Sequence, residues 1–193
     1  MGNRVGVESI MAESPELRKS LNRYSDLENI CLHIQDRVKA DSNGKFLKAV
    51  PLTIFAEKTK NRKKDEEEFF DDIKSKLNEF CFLDIVSTFE KLVFKKLENA
   101  LGNVRAVVKK GYQRTDPFGI CVVSFIKNKD EIRYLGGLSN ILKGHLEENL
   151  RSDMNKIIDY RNRLAHGDRS GEEIQLTLNE TVEILETILE KVG

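Results

Sequence analysis

The chain has no tryptophan, three prolines and three cysteines, and its charges cancel: 32 lysines and arginines against 32 aspartates and glutamates. Each shortage excludes something. Cys31, Cys81 and Cys121 are odd in number, lack CxxC spacing and lie among apolar residues, which excludes a disulfide framework or a cysteine zinc site. They read as small buried hydrophobes in a reducing cytosol. No apolar run approaches the roughly 18 residues that cross a bilayer. The opening "MGNRVGVESIMAES" has no secretory h-region, and Gly6 occupies the position where a myristoylation signal carries serine. A cytoplasmic chain without membrane contact is expected. Zero net charge means no overall basic field for a polyanion, so any nucleic-acid binding must come from a local patch. His33 and His145 stand alone, with no carboxylate or cysteine at metal-ligand spacing. "GGLSNILKG" has neither GxGxxG nor Walker spacing. No metal and no cofactor are expected.

What is present is helical periodicity. Apolar content of 39% with 33% charge reads as soluble and helix-rich. Residues 1 to 13 read as a loose, flexible tail, and 14 to 193 as a single domain. Ser14 with Pro15 reads as an N-cap and first helical position. Leu17, Leu21, Tyr24, Leu27, Cys31, Ile34 and Val38 follow at steps of three and four. "DSNGK" is a turn, and "NRKKDEEE" is a solvated charge run. From Leu77 a stripe runs through Phe80, Cys81, Ile85, Phe89, Leu92, Val93, Leu97, Leu101, Val104 and Val108, with Gly102 denting or ending it and a change of grain after Gly111. β-branched and aromatic residues around "KNKDE" suggest a small β-hairpin insertion from Gly119 to Tyr134. Helical spacing resumes at Leu138, Ile141, Leu142, Leu146 and Leu150. A break near Ser152 is expected to start the next helix, which stops at His166–Gly167. Thr177 to Glu180, "TLNE", is a capping box opening a last helix whose inward residues are Leu178, Val182, Leu185, Ile188, Leu189 and Val192. The expected fold is all-α, an up-and-down helical bundle with that β insertion.

One residue breaks the pattern. In "DYRNRLAHGD", Arg161 lies within about 60° of Met154, Ile157, Ile158, Leu164 and Ala165 on a regular helix, near the middle of an apolar face. A guanidinium there needs a carboxylate, a ligand or a second subunit. Asn162 and His166 share a face, and His166 falls in the last turn, where the macrodipole favours a cation. Arg161 offers a planar fork of donors to phosphate. A symmetric dimer would bring two arginines and two histidines to one groove, the parts needed for metal-independent RNA cleavage by 2′-hydroxyl attack. The plainer readings are a helix terminator at His166, Arg163 paired with Asp159, and Arg161 paired with a glutamate of another helix. "RAVVKKGYQR" interleaves Tyr112 with Arg105, Lys109, Lys110 and Arg114, a pattern that suits phosphate contacts and base stacking or an ordinary solvated helix end.

"YRNRLAHG" at the C-terminal end of a helix, with one more helix after it, resembles the HEPN superfamily, whose motif is Arg, four to six residues, then His, often with Asn after the Arg. Upstream, "FLDIVSTFEKLVFKKLENAL" resembles the long aromatic-rich helix of the RiboL-PSP-like branch. The motif likeness covers about eight residues and the architectural likeness about residues 75 to 192. The resemblance implies a helical bundle that dimerises and acts as an endoribonuclease without metal, in toxin–antitoxin or antiviral defence, with Arg161, Asn162 and His166 catalytic. It also implies a cognate antitoxin or defence partner. Arg105, Lys109, Lys110, Tyr112, Arg114 and Arg163 are the candidate RNA contacts. Asp168 stands where some family toxins carry a modifiable tyrosine, so regulation by that modification is not implied. The alternatives are a non-catalytic RNA- or protein-binding dimerisation module and a plain structural dimer.

Overall fold

In the computed structural model the described residues are 14–41, 62–111, 146–167 and 176–191, of which the side chains at 62–66, 101, 105 and 107–111 are excepted. They form an all-α bundle of four helices, with no strand among them: α1 (Pro15–Ala40), α2 (Arg62–Gly111), α3 (Glu148–Ala165) and α4 (Leu178–Lys191). The tail before residue 14 and the hairpin expected at 119–134 lie outside the described residues.

α2 is the spine. At 1.5 Å per residue its 50 residues span about 75 Å. The helix runs through Gly102 without a break and ends at Gly111. Its middle buries Cys81, Phe82, Ile85, Val86, Phe89 and Val93, an arc wide enough to face three helices at once. Phe80 was expected in this stripe, but it is 68% exposed. On a regular helix Phe80 points about 180° from the centre of the arc that Phe82 and Val86 complete. Val104 keeps the phase of the arc yet is exposed, because it lies beyond the level at which Lys96 Nζ donates to the Leu189 carbonyl (3.0 Å), near the end of α4.

Contacts along the spine fix the directions. Cys81 Sγ meets the Ser20 carbonyl, and Lys74 Nζ donates to Gln35 Oε1 (3.1 Å), so α1 runs antiparallel to α2. Lys191 at the end of α4 bonds Glu147 at the start of α3, so these two are antiparallel as well. The result is up-and-down. The main core joins Phe89, Leu17, Ile85, Met154, Ile157, Leu185 and Ile188; a second cluster of Cys31, Val38 and Phe70 joins the far part of α1 to the start of α2. Cys81 is a core group: burial, with Asp84 adding to it, pushes its thiol up to about 12, which removes it as a nucleophile.

Two helix ends behave as their sequences indicate, one does so in part and one does not. Thr177 Oγ1 accepts from the Glu180 N–H (3.2 Å) while Glu180 accepts from the Thr177 N–H (2.7 Å), the reciprocal bonds of a capping box. α3 ends with His166 as C-cap and Gly167 at φ +71°, a conformation that favours glycine. Pro15 opens α1. Ser14 is the N-cap residue, but its side chain makes no cap bond. Its backbone N–H instead donates to Glu186 Oε1 of α4 (2.8 Å). α3 starts at Glu148, four residues before Ser152, because extended backbone at Glu147 (φ −59°, ψ 152°) and buried Leu146 set the entry.

Glu186 is the buried charge of the bundle. Its side chain is 2% exposed, and Arg18 grips it with Nε (3.1 Å) and Nη2 (2.6 Å) while remaining 30% exposed itself. This pair seats the start of α1 on α4. Among the described residues, Arg18→Ala leaves the carboxylate with only the Ser14 N–H and is expected to cost roughly 2–3 kcal/mol in urea unfolding; the double variant Arg18→Met with Glu186→Leu is expected to recover most of that loss. Equal destabilisation in the single and double variants would contradict it.

Candidate functional site

The motif residues sit on the last turns of α3, opposite the middle of α2. Met154, Ile157 and Ile158 are buried as expected, whereas Leu164 is only partly so and Ala165 is exposed. The apolar face of α3 therefore fades towards its C-terminus, and Arg161 stands at its margin with 35% of its side chain exposed. Tyr160 anchors this turn: its ring packs edge-on against Phe82 (4.7 Å between centroids, 79° between planes). The Arg163 guanidinium, a candidate RNA contact, lies over the same Tyr160 ring, 5.5 Å from its centroid, in a cation–π contact.

Arg161 has a partner within the chain. Its Nη2 lies 3.4 Å from Glu90 Oε1 of α2, and its Nη1 donates to Asn162 Oδ1 (3.0 Å). Glu90 is 15% exposed. Burial raises its carboxyl above the ordinary range, and the Arg161 and Lys91 charges pull in the opposite direction. The carboxylate reading of the misplaced arginine thus holds within one chain. Sequence reasoning left that glutamate unnamed, although Glu90 directly follows buried Phe89 and lies three residues before buried Val93, at the edge of the α2 arc.

His166 is exposed at the C-cap, and its backbone N–H donates to the Asn162 carbonyl (3.0 Å). The Gly167 N–H donates to the Leu164 carbonyl (3.1 Å), which closes the helix. Arg161, Asn162 and His166 are thus brought to one end of one helix. The basic stretch is not brought to them. Arg105, Lys109 and Lys110 lie on the last turns of α2, at least about 22 Å along that helix from Glu90, towards the opposite end of the bundle. Tyr112 and Arg114 lie outside the described residues. Among the described residues no group of three histidines, cysteines or carboxylates could hold a metal ion, and no helix is long and apolar enough to cross a membrane.

The chain matches no protein-family model, no curated protein and no solved structure. The class defined by fold and site is an all-α bundle with an arginine, an asparagine and a histidine on the closing turns of one helix.

The Glu90 carboxyl gives this site a pH signature. A carboxyl whose folded value is raised contributes stability below its unfolded value, and that contribution fades as pH rises through the folded value. Glu90→Gln is therefore expected to gain stability relative to the parent as pH rises from below the ordinary carboxyl value of 4.5 to well above it, read as a growing difference in Tm. A difference that shrinks over this range would mean that Arg161 dominates the Glu90 environment.

Proposed function

We propose that this chain is a metal-independent endoribonuclease of the HEPN type, acting in a toxin or defence setting, with a groove formed by two copies at the C-terminal end of α3. The observation that carries the reading is the state of Arg161. Only one of its five N–H donors makes a hydrogen bond among the described residues, and the 3.4 Å approach to Glu90 is longer than the ~2.7–2.9 Å of a charge-assisted bond. The fork is steered by Glu90 and Asn162 while keeping donors for a phosphate.

In this reading His166 moves the proton, as the base that takes it from the 2′-hydroxyl or the acid that gives one to the leaving 5′-oxygen. Arg161 holds the charge of the phosphorane, and Asn162 keeps the guanidinium in register. The 2′-oxygen forms its bond to phosphorus as the bond to the 5′-oxygen breaks, leaving a 2′,3′-cyclic phosphate and a 5′-hydroxyl. A second copy supplies the other histidine. Arg163, beside Tyr160, and the basic end of α2 would take phosphates farther along the strand. Such a chain works in the cytoplasm and is held in check by an antitoxin or a defence partner.

The Glu90–Arg161 pair also favours a second reading. An arginine neutralised within its own chain fits a non-catalytic module that binds RNA or protein and dimerises.

Total RNA incubated with the protein in EDTA separates the two. Cleavage is expected to persist in chelator, to vanish with His166→Ala and to fall at least about 100-fold with Arg161→Lys, which keeps the charge and loses the fork. RNA bound with equal affinity by parent and His166→Ala, and cut by neither, would leave the binding module.

A further inference from the structure

A cavity of about 450 Å³ opens where α1, α2 and the first turn of α4 meet. Its size is that of a small-ligand pocket. Asparagines from three helices line it, Asn22 of α1, Asn78 of α2 and Asn179 of α4, together with Tyr24, Glu28 and Leu178. Asparagine is a weak helix former, so nothing in helix propensity explains a carboxamide from each of three helices at one place. Asn22, Asn78 and Asn179 are exposed to solvent at the mouth of the cavity and Glu28 is half-buried, and none of these side chains makes a hydrogen bond or ion pair to another described residue. Burial and the nearby Glu28 raise the Tyr24 hydroxyl above its ordinary value, so it stays a proton donor.

The chemistry of this wall selects its ligand. Among the described residues no lysine or arginine lines the cavity, and Glu28 brings a negative charge, so a phosphate is disfavoured there. Carboxamides present a donor beside an acceptor, which matches the edge of a base such as adenine, and a carboxylate accepts from an exocyclic amino group. Tyr24 and Leu178 supply a flat and an apolar surface for a ring. We infer that this cavity binds an amino-bearing nucleobase, adenine foremost, as a free nucleoside or as an unstacked base of an RNA strand. The pocket stands on its own lining; only its use by a strand rests on the ribonuclease reading. For that use the position is suitable, since α3 and α4 are antiparallel and the start of α4 lies at the His166 end of the bundle.

The full chain, labelled with ¹⁵N-asparagine, is titrated with adenosine and with inosine, which carries a carbonyl oxygen in place of the amino group. Adenosine is expected to give saturable shifts of the Asn22, Asn78 and Asn179 side-chain amides. Inosine is expected to bind at least about tenfold more weakly. Asn78→Ala and Glu28→Gln, both at sites outside the core, are each expected to lose about tenfold in adenosine affinity at unchanged Tm. No saturable shift, or equal affinity for inosine, overturns the inference. A second arm compares labelled oligoadenylate with oligouridylate: a preference for oligoadenylate that Asn78→Ala removes assigns the pocket to a strand, and equal binding alongside adenosine saturation assigns it to a free nucleoside. Total RNA cleaved in chelator by a chain that ignores adenosine removes the pocket and leaves the ribonuclease; adenosine bound by a chain that cleaves nothing does the reverse.

Discussion

The constraint on which this structure depends is the arc of α2 from Cys81 to Val93, which has to be covered by three other helices. Six buried residues within about four turns make a face too wide for one partner, and α1, α3 and α4 each pack against it. The directions follow. α1 comes back along α2 and continues past the main core to form the second cluster with Phe70, while α3 and α4 form a hairpin against the rest. That hairpin carries Arg161 to His166 to one end of the bundle and leaves the basic end of α2 at the other.

Two arginine–glutamate pairs join helices among the described residues, and they differ in burial and spacing. Arg18 and Glu186 meet at 2.6 Å, with two side-chain bonds and a backbone N–H on a carboxylate that is almost fully covered. That is a fastening between α1 and α4, because a buried carboxylate needs every one of those donors. Arg161 and Glu90 meet at 3.4 Å at the margin of the core, with one hydrogen bond from the guanidinium to its own neighbour. The same residue types make a tight, buried clamp in one place and a looser pair at the core margin in the other; burial and spacing make the distinction.

Much of the fold was legible in local signals. The capping box at Thr177, the glycine after His166 and the proline after Ser14 are patterns of a few residues, and each sits at a helix end. What was hidden depends on which side a neighbour lies. Phe80 and Phe82 are equally apolar, and only the placement of three helices makes one exposed and the other core. Ser152 resembles a helix start, but extended backbone at Glu147 and buried Leu146 begin α3 earlier. Glu186 could have been found by the reasoning applied to Arg161, since it lies between Val182 and Leu189 on the apolar side of its helix. A glutamate of another helix was the plainer of two readings of Arg161, set beside an RNA phosphate held between two copies, and only the packing of α3 on α2 names Glu90. Of the candidate site, the place of the three motif residues on the closing turns of one helix was legible; their separation from the basic stretch was not, because it depends on how far α2 runs on past the end of α4.

The most direct measurement is the chemistry of the ends left on RNA cut by the protein in chelator. The account predicts a 2′,3′-cyclic phosphate on one fragment and a free 5′-hydroxyl on the other, since the attacking group is the strand's own 2′-oxygen. Fragments bearing a 5′-phosphate and a free 3′-hydroxyl would contradict it, because water and not the sugar would then have attacked the phosphorus.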